Sequence, residues 1–188
     1  MKFLYIETKD PIDNLIPIIF NVLSNQIKII KYQNNEHSIT IFYNYQDIDI
    51  KEAFSLLASE LYLDILVYES LQYQTEEETF KYLNVFLKVN KNYQLKYQYY
   101  DNHELLENNY LKLNNDLKSL ILGKYYRDSI IKNSILEFLN NNQNVTLAAK
   151  ELYLHRNTLN MRLNKFYEHT NFDLKKFKDA FLIYHVIK

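Results

Sequence analysis

Residues 145–168 read V-T-L-A-A-K-E-L-Y-L-H-R-N-T-L-N-M-R-L-N-K-F-Y-E. The stretch divides into a short apolar helix, a polar break at His155-Arg156-Asn157-Thr158, and a second amphipathic helix over about 157–168. That is the pattern of a helix-turn-helix, whose second helix enters the DNA major groove. On a wheel of about 100° per residue centred on Leu159, Leu163 and Phe166 fall within about 40° and form the core stripe. Asn157, Met161, Asn164 and Lys165 lie on or near the opposite face, Asn160 beside them and Arg162 on the flank. The first helix offers Leu147, Ala148, Leu152 and Leu154 as its apolar set, and the small pair Ala148-Ala149 suits two closely crossing helices. The break puts Arg156, Asn157 and Thr158 at a helix start, where open backbone N–H groups and the positive helix end attract phosphate.

The wider segment N-V-T-L-A-A-K-E-L-Y-L-H-R-N-T-L-N-M-R-L-N-K resembles the C-terminal helix-turn-helix of the PucR/CdaR class of bacterial transcription regulators. That motif runs as a small helix with alanine and leucine, then H-R-N-T-L, two variable residues, and R-L. Ala149, Leu152, His155, Arg156, Asn157, Thr158, Leu159, Arg162 and Leu163 match it. Thr170-Asn171-Phe172-Asp173-Leu174 stands where the family has T-G-x-D, so Asn171 replaces a glycine that would take a left-handed cap. Ile135–Asn144 fits the family's preceding helix, and the resemblance covers about 130–188, roughly a third of the chain. It also suggests that the N-terminal region is a degenerate relative of the GGDEF-like module found ahead of this domain in longer members. No GG[DE]EF sequence is present, which excludes a cyclase.

The resemblance implies a bacterial DNA-binding transcriptional regulator with double-stranded DNA as its partner. In that role Arg156 and Thr158 contact phosphate. Asn157, Asn160, Met161 and Asn164 face base edges, since Asn pairs bidentately with adenine, and Lys165 anchors the backbone. Arg162 is either a DNA contact or a structural ion-pair or capping residue, and His155 either a turn residue or cap or a base contact. Asn160-Met161 replace the usual aromatic or basic residues, which leaves the target open. One helix-turn-helix makes few contacts, so a homodimer on two half-sites about 34 Å apart is expected. The rival expectation is a regulatory protein-interaction module that keeps the fold without DNA binding. Glu168, on the same outward face, and a net charge of −1 favour it.

The charge is unevenly distributed. Residues 145–188 carry eight Lys/Arg against four acids, a net +4, and the rest of the chain is −5. An acidic body with a basic end is the asymmetry expected when only one end meets phosphate. Gly123 is the single glycine, which excludes glycine-rich phosphate loops; turns must be made by Asn and Asp. The absence of cysteine excludes disulfides, thiolate metal sites and cysteine nucleophiles. The five histidines show no ligand spacing and no Ser/His/Asp arrangement is legible, so no metal, cofactor or catalytic residue is expected and the chain is not read as an enzyme. No run is long enough to span a bilayer, the N-terminal apolar run is too short for a secretory segment, and a cytoplasmic location is expected.

The fold expected is α+β: a small α/β domain over 1–100 for dimerisation or sensing of an effector, then an all-α region over 101–188. In the α/β domain strands are expected at Lys2–Glu7, Ile27–Gln33, Ser38–Tyr45, Asp64–Glu69 and Tyr93–Tyr100. Helices are expected over Ile12–Asn25 (Leu15, Ile18, Ile19 and Val22 inward), over 50–62 after Asp49, and from Thr75 to about Val89 (Phe80, Leu83, Phe86 and Leu87 inward). Tyr93, Tyr97, Tyr99 and Tyr100 form a cluster suited to strand packing or to stacking a ligand. In the all-α region a single long helix is expected over His103–Leu122, and a dimer element could be built on it. Further helices are expected over Arg127–Leu139 (with Ile130 among its apolar residues) and over about 147–153, 157–168 and 174–186.

Overall fold

The computed structural model describes residues 1–24, 27–44 and 49–188. The expected helix end at Asn25 and strand end at Tyr45 lie outside the described residues. Two compact units divide the chain, Met1–Glu104 and Leu105–Lys188. Counted over those bounds, the first carries a net −6 and the second +5.

The first unit is a five-stranded sheet of order β2-β3-β1-β4-β5. Its strands are β1 (Lys2–Thr8), β2 (Lys28–Asn34), β3 (Ser38–Asn44), β4 (Ile65–Glu69) and β5 (Tyr99–Tyr100). β1 runs antiparallel to β3 and β4 on either side, and β2 and β3 form a hairpin. β4 and β5 are parallel, joined by a helical crossover. The connectivity through β4 is the β-α-β-β-α-β unit, to which that crossover adds a fifth strand. Alternation along β1 sends Leu4 and Ile6 to one face, with Ile41, Val67, α1 (Ile16–Ser24) and α2 (Ile50–Glu60). Phe3 and Tyr5 go to the other, against Phe86 of α3 (Glu76–Tyr93), whose ring stacks on Tyr68 at 3.9 Å. Helices on both faces explain why β1 and β3 read as nearly continuous apolar runs.

Local signals start these helices. Asp49 accepts from the Glu52 N–H at 2.9 Å, and Thr75 from the Glu78 N–H at 3.1 Å, in the manner of helix caps. The inward faces are rotated from those expected. Ile12, Ile19 and Leu23 are buried near α1 while Ile18 is exposed; α3 buries Thr79, Tyr82, Leu83, Phe86 and Val89 and exposes Leu87. A single apolar stripe marks a helix, but its partner sheet selects which flank residues are covered. The last strand is also shorter than expected, because α3 continues to Tyr93 and stops at Gln94 in the left-handed region (φ 49°).

The second unit is helical. The single helix expected over His103–Leu122 is two, α4 (Asn102–Asn109) and α5 (Asn115–Leu122). Asn109 turns its amide back to the Leu105 carbonyl, and Asn114, in extended backbone, caps α5 by accepting from the Leu117 N–H at 2.8 Å. Asparagine competes with the helix backbone for its own hydrogen bonds, so two of them five residues apart divide a continuous apolar pattern. A 3₁₀ segment, Gly123–Arg127, leads to α6 (Ser129–Asn140), capped by Asp128. α6 packs against α7 (Val145–Glu151), α8 (Arg156–Thr170) and α9 (Phe177–Ile187). It does so through Ile131, Ser134, Ile135 and Phe138, leaving Ile130 outside the buried set. Among the described residues no helix is long and apolar enough to cross a membrane.

Candidate nucleic-acid interface

α7 starts at Asn144, whose side chain accepts from the N–H groups of Thr146 and Leu147 at 3.0 and 3.1 Å. Ala148 and Ala149 are buried where α7 meets α6 and α8; Leu147, expected inward, is half exposed. The helix closes with a Schellman motif: the Leu154 N–H donates to the Ala149 carbonyl and the Tyr153 N–H to the Lys150 carbonyl. Tyr153, a residue 97% exposed, takes the left-handed position (φ 54°) that a glycine ordinarily fills. The Asn140–Asn144 loop closes α6 in the same way, through Asn142 and Gln143.

The break between the two helices therefore lies at Leu152–His155, and Arg156 is already helical. His155 is the N-cap, its Nδ1 accepting from the Asn157 N–H at 3.2 Å. The Thr158 and Leu159 N–H groups donate to the His155 carbonyl. Three N–H groups of the first turn thus already have partners. What faces outward at the start of α8 is the positive helix end and the exposed Arg156 side chain. Thr158 is half-buried beside them.

Along α8, Leu159, Leu163 and Phe166 are buried, as the wheel predicts. Asn157, Met161, Asn164, Lys165 and Glu168 are exposed and Asn160 half-buried. Together these six line one shallow concavity of about 390 Å³. Arg162 turns the other way: its guanidinium donates to the Ser134 hydroxyl on α6 at 2.9 Å, and Ser134, fully buried, donates to the Ile130 carbonyl. The geometry thus gives Arg162 a structural partner.

The far end of α8 is held by the 3₁₀ segment. The Tyr125 hydroxyl donates to the Lys165 carbonyl at 3.1 Å, and its ring packs on Phe166 and edge-on to His169. Burial raises the Tyr125 pKa above its ordinary value, with Asp128 and Glu168 adding to the effect, so the hydroxyl remains a donor. His169 lies against Gly123, where a Cβ would meet its Nε2 at 2.5 Å, and Nε2 accepts from the Lys124 N–H. Asn171 ends α8 in the left-handed region (φ 63°), the conformation the family's glycine would take. Sequence reasoning missed Ser134, Tyr125, Gly123 and His169 as supports of α8. The isolated glycine was the one sequence signal beside Tyr125 and His169, and nothing in the local pattern marked Ser134.

The family model of the PucR C-terminal helix-turn-helix domain matches residues 133–188. Among curated proteins, the uncharacterized protein YxkF of Bacillus subtilis (strain 168) is 46% identical over 59 residues. The match covers 31% of this chain and 20% of that protein, so the chain spans about a fifth of the relative's length. Among solved structures, the regulator of polyketide synthase expression from Bifidobacterium adolescentis aligns over 100% of this chain and 78% of its own. The TM-score is 0.43 and the identity 13%. Residues 133–188, from within α6 to the chain's last residue, are a PucR-type C-terminal helix-turn-helix domain.

Proposed function

We propose that the protein is a DNA-binding transcription regulator that lays α8 in the major groove. Arg156 and Thr158 meet phosphate at the helix start, Asn157, Asn160, Met161 and Asn164 meet base edges, and Lys165 anchors the backbone at the far end. The observation that carries the reading is the outward side of α8, which concentrates exposed polar side chains between two cations on a helix whose other side is core. The protein acts as a homodimer in the cytoplasm, binding two half-sites about one helical turn apart. The N-terminal domain over 1–100 supplies dimerisation or senses an effector, and the region over 101–188 carries the DNA-binding domain. The β-α-β-β-α-β connectivity of the first unit supports its descent from a GGDEF-like module that has lost its catalytic sequence.

Salt titration of binding to the gene's own upstream DNA tests this. Two cations on each of two domains neutralise about four phosphates, so affinity falls about a hundredfold between 50 and 200 mM salt. Changing Arg156 and Asn157 together to Ala abolishes binding and leaves the melting curve unchanged. The exposed Glu168 on the same face favours the other reading, a regulatory module that binds protein instead. Indifference to DNA at low salt would remove the first reading and favour this one.

A further inference from the structure

We infer that the half-site is an A·T core of about four base pairs, recognised through adenine edges. This rests on the DNA-binding reading and gives it a target class.

The inference starts from the asparagines of α8. Four asparagine side chains elsewhere in the second unit have structural work: Asn114 and Asn144 cap helices, and Asn109 and Asn141 donate to carbonyls one turn back, whereas Asn133 on α6 is simply exposed. The amides of Asn157, Asn160 and Asn164 have no hydrogen-bond partner among the described residues. Asparagine is a poor helix former, and three of them inside one helix, none serving as a cap, do nothing for its stability. They are exposed or half-exposed and line the same concavity as Met161.

The chemistry of that strip is selective. A primary amide presents a donor beside an acceptor, the complement of adenine's N7 and N6 amino group. Guanine presents two acceptors and is read by arginine or lysine; the cation lining the strip, Lys165, lies at its far end beside Glu168 and is assigned to the DNA backbone. Neither arginine of α8 lines the strip: Arg156 stands outside the concavity at the helix start, and Arg162 is bonded to Ser134 on α6. Met161, half exposed between the asparagines, offers an apolar surface to a thymine methyl group. Asn157 and Asn164 are separated by about 10 Å of helix axis, or roughly three base-pair steps of 3.4 Å. Glu168, about 6 Å further along the helix, ends the strip with a carboxylate that repels phosphate and can accept only from an exocyclic base amino group.

The test is selection from a pool of random duplexes with the full chain at low salt, followed by affinity measurements on the enriched sequence. The expected result is an A·T core of about four base pairs. Replacing its adenines by 7-deazaadenine, which removes N7 but keeps pairing and the minor groove, weakens binding about tenfold or more per contacted base. Asn157→Ala, Asn160→Ala and Asn164→Ala each relax preference at one position while raising helix propensity, so each protein still folds. A G·C core, an A·T core indifferent to 7-deazaadenine (shape readout), or salt-dependent binding without enrichment would each overturn the inference and leave DNA binding standing. No retention of any duplex at low salt refutes both.

Discussion

Replacing Gly123 by Ala isolates the brace beneath α8. Gly123 sits at φ 55°, ψ −129°, backbone that L residues adopt only at a cost of about 1–3 kcal/mol. The new Cβ would lie 2.5 Å from the His169 Nε2, so the imidazole must move by about 1 Å, a displacement scaled to ordinary van der Waals contact. That loosens its edge-on packing with Tyr125, worth about 0.5–1.5 kcal/mol, and breaks the long hydrogen bond from Lys124. The sum is about 2–4 kcal/mol, of which the backbone is the larger share. Amide exchange followed by mass spectrometry on the intact protein reads this directly, since the most protected α8 amides exchange through opening of their unit. Their exchange accelerates by about 30- to 1000-fold. In a His169→Ala background the clash is gone and only the backbone strain remains, so the glycine replacement costs about 1 kcal/mol less there. An acceleration below threefold, or full rescue by His169→Ala, would refute the reasoning.

Ser134→Ala leaves the Arg162 guanidinium without its acceptor and costs about 1–3 kcal/mol in a urea melt. Arg162→Gln costs a similar amount, and the double change costs clearly less than the sum; strict additivity would mean the two are not coupled. Asn144→Ala removes the acceptor for two N–H groups at the start of α7 and destabilises the second unit by about 1 kcal/mol. A melt unchanged from the parent would show that water replaces the cap at no cost. At alkaline pH the first unit weakens. Burial, ahead of neighbouring carboxylates and tyrosines, raises Tyr68 and Tyr73 well above their ordinary value and pushes Tyr82 up to about 12. The folded state therefore keeps protons that the unfolded chain releases near pH 10, so stability is complete below pH 10 and falls as pH rises through the folded values. Tyrosinate absorbance from these groups appears together with loss of the sheet signal. Its completion near pH 10 with the sheet intact would contradict their burial.

The order of strands and helices in the first unit, the capping residues Asp49 and Thr75, the helix-turn-helix and the outward set on α8 were legible from residue order. Each depends on neighbours within one or two turns: a cap acts over three residues, and a stripe repeats every three or four. The shortage of glycine also foretold asparagine in left-handed positions, as at Asn142 and Asn171, although Tyr153 in that role was not foreseen. Tertiary structure alone decided that Ile130 faces out, that Arg162 turns to Ser134, and that Gly123 and His169 brace the end of α8; the break of 103–122 between Asn109 and Asn114 is local and was missed in the apolar pattern. The Arg162–Ser134 and Lys124–His169 pairs lie 28 and 45 residues apart. A local pattern carries the direction of a side chain but not the identity of what a distant segment of the chain brings against it. That partner exists only once the helices have packed.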